Sequence, residues 1–277
     1  MECSSGGANN LIKIAITSGK GGVGKTTLTC NLGAALVSAG RRTTVFDADL
    51  QLANLDIALG IEPEYNLRDV VNGEKSLTEI VAEGPGFVNV ISGGSAIPLL
   101  MRAGPKRMGT FFAQLSDLEV STDTLIFDTG AGIDNKVFAF LMEADRVIVV
   151  VSPDPTSVTD AYSTIKTLLK KNAHAEIHVV FNQANDLEAH KLFKMLEQII
   201  GDYLGGSVNY LGNVRFDEQA VAAGRRRKLF VLETPQSKAS QDIRAIAQNV
   251  RNWTGRPKLS VLGDEPAVDE SVQLRAA

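Results

Sequence analysis

Short apolar segments alternate with longer amphipathic segments along most of this chain. The short segments are nearly continuous in Ile, Val and Phe, which is typical of strands buried on both faces of a parallel sheet. The predicted strands are Leu11–Thr17, Thr43–Ala48, Phe87–Ile91, Thr124–Asp128, Arg146–Ser152, Ile177–Asn182 and Val208–Val214. Because strands alternate with helices, the pattern predicts right-handed βαβ units and a doubly wound, mostly parallel α/β sheet with helices on both faces.

The longer segments carry the periodicity of helices. They are Lys25–Ala39, Lys106–Leu118, Asn135–Glu143, Ser157–Lys170, Leu187–Leu204, Asp217–Ala223 and Lys238–Asn252. Gly40 stands where a helix C-cap is expected. The last helix has an apolar stripe, which a core-facing helix explains better than a membrane-surface helix. The stripe consists of Ala239, Ile243, Ile246, Val250 and Trp253.

The domain organisation predicted from these patterns is simple. There is no internal repeat and no Gly/Ser linker, so residues 11–254 are expected to form one domain. Residues 1–10 are expected to be a disordered N-terminus. Residues 255–277 contain two prolines and four acids without a helical period, and are expected to be a disordered tail. That tail is not the basic amphipathic helix that lies on membranes.

Composition narrows the class of protein. Of 277 residues, 44% are hydrophobic and 22% charged, which is ordinary for a soluble globular protein. The net charge of −4 argues against a generic electrostatic grip on nucleic acid. Cys3 and Cys30 form no disulfide framework and fit a reducing compartment. With no signal peptide and no long apolar span, the expected location is the cytoplasm, with transient contact at the inner face of the cell membrane left open.

A glycine-rich loop follows the first predicted strand and precedes a helix. It fits G-x-x-x-x-G-K-[ST] in the required strand–loop–helix context. Its backbone N–H groups and the helix N-terminus are expected to hold phosphates. Lys25 is expected to reach the β- and γ-phosphates of ATP, and Thr26 to bind Mg²⁺. The predicted ATP-binding residues of this loop are Gly19, Lys20, Gly21, Gly22, Val23, Gly24, Lys25, Thr26 and Thr27.

Three acids follow predicted strands. Asp128 ends an apolar strand, as expected of a group that holds Mg²⁺ directly or through water. Asp47 and Asp49 lie at the end of another strand, at the edge where parallel sheets bind ligands. Alternatively, Asp47 and Asp49 cap the next helix, and Asp128 is a strand-end acid without a metal.

The loop reads K-G-G-x-G-K-T from Lys20, and this resembles the deviant Walker A motif of the MinD/ParA superfamily. The resemblance implies an ATP-dependent homodimer in which Lys20 crosses the interface to the partner's phosphates; the alternative is a solvated loop lysine. The stretch from Asp47 resembles the family's D-x-D-x-x-L-x-N-L-D switch. By that match Asp49 orients the attacking water, Asp47 supports the Mg²⁺ shell, and Asn54 lies in the switch at the dimer interface. Lys20 and Asp49 are thus the predicted catalytic residues.

Two later segments resemble the loops that hold adenine in this family. Phe181-Asn182-Gln183 resembles the V-N-x segment, so Asn182 is expected to contact the base. The segment ending in Arg215-Phe216-Asp217 resembles G-x-I-P-x-D, which implies that Arg215 and Asp217 also contribute. Arg215 replaces the family's proline, so the loop loses a fixed φ, while a guanidinium plane offers a stacking surface for the purine.

One segment resembles a narrower group, the FlhG/FleN flagellar number regulators. It reads P-T-S-V-T-D-A-Y from Pro155, and S-K-A-S from Ser237 resembles a second segment of the group. This implies an ATPase switch for flagellar number or placement, with a flagellar GTPase or a transcription activator as partner. In MinD-type dimers the acid matching Asp160 meets the signature lysine, and the acid matching Asp154 lies at the dimer face. Alternatively, Thr156 and Asp160 cap and charge a helix N-terminus.

Other readings of the same chain remain open. A MinD-type division-site regulator or a ParA-type DNA- or cargo-positioning ATPase shares the motifs. The basic run Arg225–Lys228 is the only feature that favours DNA or anionic lipid. A solvated turn explains this run better, because it has no interleaved aromatic residues, and no specific nucleic-acid recognition is predicted. A dethiobiotin-synthetase-like ligase would need a substrate pocket not evident in the sequence. A nitrogenase-iron-protein relative is excluded, because Cys3 and Cys30 are wrongly placed for a cluster. His174, His178 and His190 are interpreted as structural.

Overall fold

The computed structural model describes residues 11–49, 55–93, 96–102 and 104–255. Its strands are β1 Ile12–Ser18, β2 Thr43–Ala48, β3 Ala82–Glu83, β4 Asn89–Ile91, β5 Thr124–Ala131, β6 Arg146–Val151, β7 Ile177–Asn182 and β8 Asn209–Val214. They form one sheet in the order β3-β4-β2-β5-β1-β6-β7-β8. The strand pairs of the described residues are parallel except for the short edge pair of β3 with β4. The predicted sheet is therefore confirmed.

Helices fill the connections between strands. They are α1 Lys25–Ser38, α2 Leu55–Leu59, α3 Leu67–Val71, α4 Ala96–Arg102, α5 Pro105–Gln114, α6 Asn135–Glu143, α7 Pro155–Lys171, α8 Asp186–Leu204, α9 Glu218–Arg225, α10 Phe230–Glu233 and α11 Lys238–Arg251. Two 3₁₀ helices cover Pro85–Phe87 and Leu115–Val120. The C-cap of α1 is Ala39, one residue earlier than the sequence predicts, and Gly40 follows it with φ of 87°.

Apolar clusters lie on both faces of the sheet. On β1, Ile14 and Ile16 share a cluster with buried residues of α1 and α11, whereas Ala15 belongs to the cluster that contains α6, α7 and α8. All three side chains are fully buried. The stripe on α11 also faces the core, since Ile243, Ile246 and Val250 are buried. Burial on both faces explains why the strands read as continuous apolar runs.

Two predicted elements are partly replaced by 3₁₀ structure, whereas the other predicted elements shift by three residues or fewer at either end. The predicted strand Phe87–Ile91 keeps only β4, because a 3₁₀ turn precedes it and Phe87 has φ of 62°, outside the strand region. The predicted helix Lys106–Leu118 ends at Gln114 and continues as the 3₁₀ helix Leu115–Val120. Both segments are apolar enough to predict one continuous strand or helix, but in each the backbone leaves that conformation part of the way along.

The sequence does not predict β3, α2, α3, α4 or α10. Helix α3 shows why. It begins with a capping box between Asn66 and Asp69, but its five residues are too few to give a periodic signal. The predictions for residues 1–10 and 255–277 lie outside the described residues, apart from Gly255. Within the described residues, no helix is long and apolar enough to cross a membrane.

Candidate functional site

The loop from β1 to α1 has the geometry of a phosphate-binding loop. Gly22 and Gly24 have φ of 79° and 93°, a region that glycine adopts without strain. A Cβ at Gly24 would lie 2.3 Å from Asn182 Nδ2, so any larger residue there would displace the Asn182 amide as well as strain the backbone. Gly24 is the N-cap of α1, and among the described residues no side chain caps this helix. The first-turn N–H groups and the helix dipole therefore favour an anion at this position.

Lys25 lies in the first turn of α1, where the loop ends. Its side chain is buried, and its ammonium donates a hydrogen bond to Ser18 Oγ at 3.0 Å. Burial lowers the pKa of Lys25, while Asp128 and Asp49 act in the opposite direction. A buried cation between a helix N-terminus and carboxylates is placed where a phosphate and its metal would meet.

Asp128 lies in β5 and binds two hydroxyl groups of α1. Thr26 Oγ1 donates to one carboxylate oxygen at 2.6 Å, and Thr29 Oγ1 donates to the other at 3.0 Å. Burial raises the pKa of Asp128 to about 6, against the lowering effect of both hydroxyls. The structure thus brings together Thr26 and Asp128, which the sequence predicts as magnesium ligands from separate motifs.

Asp47 lies directly opposite Asp128 in the pairing of β2 with β5. Its carboxylate accepts the N–H groups of Asp49 at 3.0 Å and Leu55 at 3.2 Å. Burial, followed by repulsion from Asp128, raises the pKa of Asp47 to about 7. Leu55 is the first residue of α2, so Asp47 caps that helix in addition to lying beside Asp128.

The oxygen donors assembled here fit Mg²⁺. A threonine hydroxyl and two carboxylates on neighbouring strands are hard oxygen ligands. Burial is the main cause of the raised pKa values of Asp47 and Asp128, and a divalent cation bound between these two neighbouring carboxylates would favour their charged forms. Asp49 lies beside Gly130 of β5, since a Cβ at Gly130 would be 3.3 Å from Asp49 Oδ1. Asn54 lies outside the described residues.

Lys20 contacts the start of α7 in its own chain. Its Nζ lies 3.0 Å from Asp154 Oδ1 and 2.8 Å from Thr156 Oγ1. Asp154 is also the N-cap of α7, because it accepts the N–H of Ser157 at 2.9 Å. Hydrogen bonds from Ser152 and Thr156 lower the pKa of the Asp154 carboxyl far below its usual range.

In the single chain Lys20 pairs with Asp154, and its expected meeting with Asp160 across a dimer stays a prediction. One expectation for this segment differs from the structure. Asp154, rather than Thr156 or Asp160, caps α7. Asp160 instead places its backbone against Gly19, where a Cβ would lie 2.2 Å from the Asp160 carbonyl carbon. The difference arises because the helix begins at Pro155, two residues earlier than its periodicity indicates.

A cavity of about 240 Å³ opens beside the phosphate loop. Apolar side chains dominate its lining, including Leu28, Phe216 and Ile243. Asn182 and Asp217 also line it. Asn182 donates to Val23 O at 2.7 Å, which ties the end of β7 to the loop. Apolar walls with a few polar groups suit a nucleotide base.

Asp217 and Arg215 also reach this cavity, each held by a partner. Asp217 caps α9 through the N–H of Gln219 at 2.8 Å. The guanidinium of Arg215 is paired with Asp242, at 2.9 Å from Nε and 2.7 Å from Nη2. The loop lacks the proline that fixes φ in the resembling family, and in this chain a bidentate ion pair holds Arg215 instead.

Several residues of the site were not selected by sequence reasoning. Ser18 accepts a hydrogen bond from Lys25, Thr29 donates one to Asp128, and Asp242 accepts from Arg215. Thr29 follows the motif by three residues, so the i+3 spacing from Thr26 would have identified it. No local signal marks Asp242, since it lies 27 positions after its partner.

A second cavity, of about 320 Å³, is lined by residues 20–23 of the loop and by residues 152–154. Gln183 lines both cavities and has φ of 61°. A non-glycine residue in that region marks local strain, which is common at ligand sites. Gln183 is a further residue that the sequence did not single out.

The remaining candidate features are structural or solvent-exposed. His178 stacks on Trp253 with ring centroids 4.4 Å apart and lies 3.2 Å from Glu176. Burial lowers the pKa of His178. The run Arg225–Lys228 is exposed from the last residue of α9 onward, and Arg226 lies 3.6 Å from Glu233.

A family model, two relatives and a solved structure all resemble this chain over most of its length. A family model described as the CobQ/CobB/MinD/ParA nucleotide binding domain matches residues 14–230. The antiactivator FleN of Pseudomonas aeruginosa is 36% identical over 241 residues, which are 87% of this chain and 86% of FleN. The flagellum site-determining protein YlxH of Helicobacter pylori is 35% identical over 84% of this chain and 80% of YlxH. The septum site-determining protein MinD of Pyrococcus horikoshii, solved with Mg-ADP, superposes with a TM-score of 0.71 at 25% identity, covering 87% of this chain and 96% of MinD.

Proposed function

The chain belongs to the CobQ/CobB/MinD/ParA nucleotide-binding family, and from this premise we propose that it is an ATP-dependent dimerising switch that regulates flagellar number or placement. The position of the Lys20 ammonium is the observation that supports a switch. Lys20 is a second cation beside the phosphate loop, yet its ammonium points to Asp154 rather than to the place where Lys25 lies. The similarity to the antiactivator FleN and to YlxH supports the flagellar role.

In this proposal each residue has a distinct task. The loop amides and Lys25 bind the β- and γ-phosphates, and Thr26, Asp128 and Asp47 hold Mg²⁺, which neutralises phosphate charge. Asp49 orients the attacking water. Lys20 leaves Asp154 and reaches the phosphates of the other protomer, which couples ATP binding to dimerisation. Slow hydrolysis then separates the dimer.

The relatives support a proposal for the partner, and the composition supports one for the location. Since FleN is named an antiactivator, a transcription activator is the first candidate for the partner that reads the ATP state, and a flagellar GTPase is the second. The protein works in the cytoplasm, with transient contact at the inner face of the cell membrane. A pull-down with the ATP-locked Asp49→Ala protein identifies the partner directly.

Size-exclusion chromatography tests the switch. Asp49→Ala protein, which should retain ATP, is expected to elute as a dimer with Mg-ATP and as a monomer with Mg-ADP. Lys25→Ala protein is the matched control and should stay monomeric with either nucleotide. A single elution position for Asp49→Ala under all conditions would contradict the proposal.

A ParA-type DNA- or cargo-positioning role is the second candidate, with a MinD-type role at the division site sharing the same dimer. The exposed run Arg225–Lys228 favours the DNA role, because clustered basic side chains bind phosphate backbones. An electrophoretic shift assay with ATP-bound dimer and plasmid DNA distinguishes the DNA-positioning role from the flagellar role. A shift that disappears when Arg226 and Arg227 become Glu would favour the DNA role, and no shift favours the flagellar role.

A further inference from the structure

The pair of Arg215 and Asp242 stands beside the base cavity and has no counterpart in the motifs. We propose that Asp242 is a positioning residue, which holds Arg215 so that its guanidinium plane forms a wall of the cavity on which the purine stacks. This inference rests on the proposed function, because it takes the cavity to be the base site of ATP.

The geometry fixes both the backbone and the side chain of Arg215. The Asp242 carboxylate accepts the backbone N–H of Arg215 at 2.9 Å, the Nε–H at 2.9 Å and an Nη2–H at 2.7 Å. The last two bonds are the bidentate fork that locks the guanidinium plane. The side chain of Asp242 is 13% exposed and that of Arg215 is 33% exposed, so the pair is partly shielded from water.

The location of the pair connects it to the cavity. Arg215 lines the cavity, and so does Ile243, the residue that follows Asp242 in α11. A carboxylate that uses the Nε–Nη2 edge lies in the guanidinium plane, so the faces of that plane remain available for stacking. The contact with the backbone N–H also restrains the loop where the resembling family has proline, a residue without that N–H.

The competing explanation is that Arg215 and Asp242 form an ion pair without any role in nucleotide binding. Many ion pairs near a protein surface contribute little even to stability. Arg146 and Glu176 provide the matched comparison. They also form an arginine–carboxylate contact, at 2.7 Å, but Arg146 is the first residue of β6, at the opposite end of the sheet from the phosphate loop. Breaking that pair should leave nucleotide binding unchanged.

Binding of Mg-ATP and of Mg-tripolyphosphate is measured by titration calorimetry for wild type, Arg215→Ala, Asp242→Asn, the double variant and Glu176→Gln. Arg215→Ala and Asp242→Asn are each expected to weaken ATP binding by about fivefold to tenfold, as expected for a lost cation–π contact. Tripolyphosphate, which has no base, should bind all variants equally. The double variant should bind ATP no more weakly than Arg215→Ala, since Asp242 acts through Arg215.

Each other outcome has a definite meaning. If both single variants bind ATP as tightly as wild type, the inference is overturned. Binding of ATP by the wild-type protein still supports the proposed function in that case. Equal weakening of ATP and tripolyphosphate also overturns it, because the pair would then support the loop generally. If Asp242→Asn does not fold, Arg215→Ala alone decides through the same ATP-to-tripolyphosphate comparison. Wild-type protein that binds no ATP overturns both the inference and the proposed function.

Discussion

Replacing Asp47 by Asn would keep the shape of this buried side chain and remove its charge. Burial and repulsion from Asp128 raise the pKa of Asp47 from 3.8 to about 7. Between these two values the unfolded chain has released the proton while the folded protein retains it. The free energy of unfolding therefore falls as pH rises through this interval, and it is level above it.

The size of the effect follows from the interval. Each pH unit is worth about 1.36 kcal/mol, so the ionised group costs about 4 kcal/mol once the pH exceeds the folded-state pKa. At about pH 5 only the first part of the interval has been crossed, and the cost is about 2 kcal/mol. The gain from Asp47→Asn should thus be larger by about 2 kcal/mol at about pH 7.5 than at about pH 5. Asn loses one acceptor for the N–H groups of Asp49 and Leu55, a cost of about 1 kcal/mol that is common to both pH values.

Urea denaturation of nucleotide-free protein in EDTA measures this difference. Asp123→Asn is the flat control, because the hydrogen bond from the Arg42 guanidinium lowers the pKa of Asp123 below its ordinary value of 3.8. The stabilisation from Asp123 is lost only below that ordinary value, so the stability difference between Asp123→Asn and wild type should be the same at about pH 5 and about pH 7.5. An Asp47→Asn protein whose stability difference from wild type does not grow with pH would refute the reasoning, since Asp47 would then be ionised in the folded protein.

Three further substitutions test the site. Lys25→Ala should abolish ATP binding while the melting temperature is retained, and near wild-type affinity in a nucleotide titration would contradict the assignment. Asp49→Ala should still bind Mg-ATP, with turnover reduced roughly 10²-fold or more; equal loss of binding and turnover would point to a metal role. Lys20→Gln should bind ATP within about tenfold of wild type, because the loop amides remain, and should lose ATP-dependent dimerisation. Mixing it with Lys25→Ala should restore some ATPase activity, and an inactive mixture with proven mixed dimers would rule out action in trans.

Contiguous motifs made the centre of the site predictable. The loop from Gly19 to Thr26 lies within eight positions, so its turn, its glycines and its helix start are encoded locally. Asp47 and Asp128 were also identifiable, because the carboxyl ends of parallel strands meet at one edge of the sheet. Asp47 and Asp128 lie opposite each other because β2 pairs directly with β5. The sequence alone does not predict this order of the strands.

Sequence by itself determined the alternation of buried strands and helices, since both periodicities are local and span many residues. It also determined the phosphate loop, whose function depends on neighbours in the chain. Tertiary structure decided the short elements such as α3, because five residues carry no period. It also decided the partners of Lys20 and Arg215, which lie 134 and 27 positions away. Such pairs form only when separate βα units pack side by side, so their specificity resides in the arrangement of the sheet rather than in any segment of the chain.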